Sequence, residues 1–121
     1  DLAVKTYHAI GSHPDLRASD DELRAAAITD VQRANRPLGL ARQFAALLAQ
    51  PRWHDRLETV RKPTLVLHGQ MDRLIPPDCG RDIARRIPEA DFKLIEKWGH
   101  DLPEAVVPDL LDQVLPFLAR A

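Results

Sequence analysis

The 121 residues carry 17 Lys and Arg against 18 Asp and Glu, a net charge of -1, with 45% hydrophobic residues, 10 Pro and one Cys. Charge spread this evenly along the chain excludes the basic stripe of a nucleic-acid-binding domain, and no apolar run approaches the roughly 18 residues of a membrane span. Cys79 has no second cysteine to pair with, which fits a reducing, cytoplasmic setting, and no signal-peptide pattern is visible.

The first half, residues 1–59, reads as helix and loop only. Ser19-Asp20-Asp21-Glu22 precedes Leu23, Ala27 and Val31, spaced four apart. That pattern predicts an amphipathic helix capped by Ser19 or Asp20. Pro37-Leu38-Gly39 interrupts it, and Leu40, Phe44, Leu47 and Leu48 then resume helical spacing until Pro51. Trp53, Leu57 and Val60 predict a further short helical turn. His8, His13 and His54 lack Cys or carboxylate partners at ligand spacing, so no metal site and no cofactor is expected.

From Lys62 the period changes. Thr64-Leu65-Val66-Leu67-His68 is a short apolar run between Pro63 and Gly69, the pattern of a strand buried on both faces of a parallel sheet. Pro76-Pro77-Asp78 predicts a turn and an N-cap, followed by a helix with Cys79, Ile83, Ala84 and Ile87 on its inner face. Cys79 is thereby expected to be a buried structural thiol rather than a nucleophile, and Arg81, Arg85 and Arg86 a solvated face. Phe92 to Glu96 predicts a second strand nearer the sheet edge. Pro103-Glu104 then opens a helix with a wide apolar stripe over Val106, Val107, Leu110, Leu111, Val114, Leu115 and Leu118. The fold class is α/β, with residues 1–59 a helical segment and residues 60–121 a strand, helix, strand, helix unit.

Open α/β sheets place their chemistry beyond the carboxyl ends of the strands. Asp72 falls just past the first strand and His100 just past the second. Neighbouring parallel strands are about 4.8 Å apart, so the two loops can bring a carboxylate onto an imidazole. A carboxylate on one ring nitrogen fixes the tautomer and leaves the other nitrogen free to take a proton from a nucleophile. The competing readings are structural: Asp72 as a turn former before Pro76, and His100 as a helix-entry residue. Asp101 is assigned to capping the last helix, and His68 to packing with a hydrogen bond to backbone. Trp98 and Leu74 are candidate pocket-lining residues, with Trp98 equally able to fill space beneath a cap.

His68-Gly69-Gln70-Met71-Asp72 with Ile75-Pro76-Pro77, followed later by Gly99-His100, resembles the C-terminal portion of an α/β-hydrolase. In that family an apolar strand ending in His-Gly leads to the catalytic Asp, and a Gly-His after the last strand carries the base. The order Asp before His matches the family's. Gly99-His100-Asp101-Leu102-Pro103 and Gly39-Leu40-Ala41-Arg42-Gln43-Phe44-Ala45-Ala46 resemble more closely the esterase-like branch of aclacinomycin methylesterases and proline iminopeptidase relatives. The resemblance implies that Asp72 and His100 are the catalytic acid and base, that residues 1–59 are cap-like, and that the substrate is a small-molecule ester or related acyl compound. Perhydrolases, amidases, carbon-carbon bond hydrolases and methylesterases of the family all use this acid and base, so the substrate stays open.

The Gly-x-Ser-x-Gly elbow of the family is absent. The serines are Ser12 and Ser19 alone. Ser12, in Ile10-Gly11-Ser12-His13-Pro14, has no strand before it and no helix after it, so it fails as a nucleophile elbow. No segment corresponds to the oxyanion-hole loop either. Two strands with one helix each also cannot cover so apolar a sheet on both faces and both edges. Together with Asp1 in place of Met, this leads to the expectation of a longer protein whose missing N-terminal half supplies the serine, this chain alone being inactive. The alternative is a non-catalytic short α/β chain that assembles with a second chain through its open sheet edge.

Overall fold

The computed structural model describes residues 2–120, with Pro37 described by its backbone alone; Asp1 lies outside the described residues. In chain order the elements are α1 (Leu2–Ile10), α2 (Asp20–Arg33), α3 (Pro37–Ala49), α4 (His54–Leu57), β1 (Leu65–Gly69), α5 (Pro77–Arg86), β2 (Asp91–Ile95), a 3-10 turn (Glu104–Val106) and α6 (Val107–Arg120). Among the described residues no helix is long and apolar enough to cross a membrane.

Local chemistry accounts for most of these boundaries. Ser19 accepts from the Glu22 backbone N–H while the Glu22 carboxylate accepts from the Ser19 N–H, a reciprocal capping box that fixes the start of α2. Pro37, expected to interrupt the helical pattern, instead sits in the first turn of α3, where its missing N–H costs nothing. Helix α1 had no sequence signal. It is held to α2 by Val4 and Leu23, both buried, and by His8 Nε2 on Asp20 Oδ1 at 2.7 Å.

The sheet has two parallel strands, with Leu65 opposite Asp91 and Gly69 opposite Ile95. Helix α5 connects them and packs on both. Gly80 is what lets the helix approach so closely, since a Cβ there would lie 2.4 Å from His68 Nδ1. The inner face of α5 is Gly80, Ala84 and Ile87, which corrects the stripe read from the sequence. Cys79 is exposed rather than buried: it and Ile83 border a shallow cleft with Trp53 and Leu57, beside α4 rather than over the sheet. Asp78 does not cap α5 through its side chain; Pro76 is the N-cap.

The strand expected to be buried on both faces is only half-buried from Leu65 to His68, because one neighbouring strand and a single helical layer do not enclose it. Val106 (0% exposed), Ile87, Ile95 and Ala84 form the small core around the sheet. Full burial of a side chain such as Val106 contributes about 1.5–3 kcal/mol. Much apolar surface stays uncovered: Leu38, Leu40, Phe44, Leu47 and Leu48 on α3, and Leu111, Leu115 and Leu118 on α6, are all exposed.

Candidate active site

The loops leaving β1 and β2 at their carboxyl ends are stitched together before any side chain is considered. The Gln70 N–H donates to the Ile95 carbonyl at 2.9 Å and the Met71 N–H to the Trp98 carbonyl at 2.8 Å, so the ladder continues past the sheet. This splicing sets Asp72 across from His100.

Asp72 has a side chain only 9% exposed, and its two oxygens are divided between two tasks. Oδ1 accepts from the backbone N–H groups of Leu74 at 3.0 Å and Ile75 at 2.8 Å, which folds the turn before Pro76 around the carboxylate. Oδ2 meets Nδ1 of His100 at 2.8 Å. Burial pushes the carboxyl up, while the Ile75 N–H, the His100 ring and the Leu74 N–H stabilise the anion; their sum holds it below the ordinary value. An ionised carboxylate can only accept, so Nδ1 of His100 is the donor in this contact.

The turn-former reading of Asp72 thus describes its Oδ1, while Oδ2 is the oxygen that meets His100. His100 is 41% exposed, and among the described residues no hydrogen bond reaches its Nε2. The imidazole opens onto a cavity of about 420 Å³ whose wall includes Leu67, His68, Trp98, Gly99 and Leu102. Trp98 also donates its indole N–H to the Asp101 carbonyl, closing a small loop with His100 inside it. Leu74 is not part of this wall: its side chain is 52% exposed, and its backbone N–H is what serves Asp72. His68 packs against Gly80 and hydrogen-bonds the Ile75 carbonyl through Nε2 at 2.9 Å; the same nitrogen lies 3.7 Å from Asp72 Oδ2, the oxygen that meets His100.

Asp101 does not cap the last helix. Its Oδ1 instead accepts from Ser12, both from the backbone N–H at 2.9 Å and from the hydroxyl at 2.5 Å. The turn that precedes α6 has Pro103 as its N-cap and no side-chain cap. Sequence reasoning missed this pair, which joins positions 12 and 101. The available signal was Gly11-Ser12-His13-Pro14, which stood out as a failed nucleophile motif and has a different partner.

A family model for serine aminopeptidases of the S33 type matches residues 3–104. The chain belongs to that family. Members of the S33 family have the α/β-hydrolase fold, and the β1-α5-β2 unit with its spliced loops is this chain's share of it. The S33 chain is 35% identical over 54 residues to the pimeloyl-(acyl-carrier protein) methyl ester esterase of Aromatoleum aromaticum, a match covering 45% of this chain and 22% of that protein. It is 31% identical over 70 residues to a 2-hydroxy-6-oxononadienedioate/2-hydroxy-6-oxononatrienedioate hydrolase of Burkholderia vietnamiensis, covering 58% and 24%. The chain therefore spans about a quarter or less of the length of the curated relatives it matches. Among solved structures, Est816, titled as an N-acyl homoserine lactone degrading enzyme, superposes with a TM-score of 0.62 at 22% identity over 93% of this chain and 44% of that one, a likeness of fold.

Proposed function

We propose that this chain is the acid- and base-bearing part of a cytoplasmic serine hydrolase acting on carboxylic esters or related acyl substrates. The observation that carries the reading is the 2.8 Å contact of Asp72 Oδ2 with Nδ1 of His100, a residue that lines an open cavity. In this reading His100 takes the proton of a serine as it attacks the acyl carbon, then returns it to the departing alcohol. Asp72 holds the ring and stabilises the imidazolium. The serine and the oxyanion donors come from an N-terminal half outside these 121 residues, and Ser12 is excluded as the nucleophile by its burial against Asp101. Residues 1–59 serve as a cap segment and residues 60–121 as the end of the hydrolase core. A methyl ester esterase among the relatives supports an ester as substrate.

The test uses the protein at its full natural length and a fluorophosphonate probe. The probe is expected to label one serine, and His100→Ala to slow labelling by about 10³-fold or more. Labelling at an unchanged rate in His100→Ala sinks the assignment.

The open edges of the two-stranded sheet favour a second reading, a non-catalytic chain that assembles through them. It predicts no probe-reactive serine in the natural protein and an oligomer that forms without one.

A further inference from the structure

The loop from Glu96 to Asp101, which carries His100, is tied on one side to the loop after β1 through the Trp98 carbonyl and on a second side to residues 10–15. The His100 N–H donates to the Ile10 carbonyl at 2.8 Å, and the Gly99 N–H to the Ser12 hydroxyl at 3.0 Å. The Ser12 N–H and hydroxyl both end on the Asp101 carboxylate. Further out, the His13 N–H donates to the Lys97 carbonyl at 2.8 Å and Lys97 Nζ pairs with Asp15 at 2.6 Å. Lys97 has a φ of 60°, an uncommon conformation for a residue with a side chain, and both contacts fall on it.

Ser12 is 2% exposed and is the buried polar residue of the described chain. Its hydroxyl has one donor and one acceptor as partners, both from the residues that flank His100. The backbones approach closely here too: a Cβ at Gly99 would lie 2.2 Å from the Gly11 carbonyl carbon. A loop with no task beyond closing the chain could leave these groups to water. Here three consecutive residues, 99 to 101, are bound by Ile10 and Ser12, with Gly11 packed between them.

We propose that Ser12 and Asp101 are positioning residues for His100, a latch that keeps the base-bearing loop where its imidazole meets Asp72; the proposal rests on the reading of His100 as general base. The latch acts on the backbone either side of His100 and touches no reacting atom. Displacing a base by about 1 Å can cost on the order of 10²-fold in rate without weakening substrate binding.

The test again uses the natural full-length protein, with nitrophenyl acetate as substrate. Ser12→Ala and Asp101→Ala are expected to lower kcat about tenfold or more with KM within about twofold. Asp101→Asn, whose Oδ1 still accepts from the Ser12 hydroxyl, is expected to recover most of that loss. The double variant Ser12→Ala/Asp101→Ala should be no worse than the poorer single, since both remove one unit. An activity-independent readout is the downfield proton resonance of His100 Nδ1–H, expected to broaden or shift in both alanine variants and to stay in place in Asp101→Asn.

An unmoved resonance with wild-type kcat in folded Asp101→Ala overturns the latch. Hydrolysis unaffected by His100→Ala overturns the base assignment instead, so the two failures are distinguishable. Should Asp101→Ala fail to fold, Ser12→Cys, close in size but a weaker donor, makes the comparison: lowered kcat supports the latch and wild-type kcat overturns it.

Discussion

Asp72 illustrates how one carboxylate can serve the backbone and a neighbouring imidazole together. Its Oδ1 organises the turn through Leu74 and Ile75, and its Oδ2 orients His100, so the turn that holds the acid is made by the acid. Three donors on a nearly buried anion lower its proton affinity despite the opposing effect of burial. A carboxyl held below its unfolded value stabilises the fold at pH values above that value, 3.8, and loses the contribution as pH falls through the lower, folded value. Asp72→Asn removes the titrating group while keeping its shape. Thermal melting of wild type and Asp72→Asn against pH should therefore show a wild-type advantage near neutrality that narrows steadily in the acid range below 3.8. A gap that is constant or widens on acidification would show that the ionised form is not what the turn binds.

At the scale of elements, close approach between α5 and β1 is what brings the loop ends together, and Gly80 sets it. An added methyl would lie 2.4 Å from His68 Nδ1, on a ring fixed by its bond to the Ile75 carbonyl. Gly80→Ala would favour the helix by up to about 1 kcal/mol through propensity, but overpacking against a fixed ring costs about 1–3 kcal/mol. The net expectation is a loss of stability of up to about 2–3 kcal/mol, read in urea titration as a lower midpoint with an unchanged slope.

The same helix shows what a sequence reveals at this scale. The strands, the crossover helix between them and the polar cap at the start of α2 were legible, because each has a local signature: an apolar run between Pro and Gly, a polar cap, a four-residue spacing. The buried face of α5 was legible in part: Ala84 and Ile87 are buried as the spacing predicts, but Gly80 packs against the sheet while the larger Cys79 and Ile83 lie beside α4. Size and hydrophobicity alone wrongly placed Cys79 and Ile83 on that face. For the site, the facing of Asp72 and His100 followed from strand ends in one sheet. The Ser12–Asp101 pair depends on where α1 docks, and nothing local to either residue encodes that.

For the molecule as a whole, covered and uncovered apolar surface are out of balance. The described core is a few side chains around β1, α5 and β2, while α3 makes no packed interface with another element and turns Leu38, Leu40, Phe44, Leu47 and Leu48 to solvent. Each strand has one neighbour, leaving an unpaired row of backbone groups on both sides of the sheet. Two-stranded sheets are at best marginal unless something packs against them, and contiguous exposed apolar faces drive association. Produced by itself, the 121-residue chain is therefore expected to self-associate at micromolar concentration and to bind a hydrophobic dye, with both behaviours reduced when the remaining strands of a hydrolase sheet are supplied on the same polypeptide. Sedimentation velocity over a concentration series is the direct measurement. A sharp monomer boundary that persists at the highest concentration, with no dye binding, would mean that this short sheet satisfies its own edges and that the exposed faces of α3 and α6 need no cover.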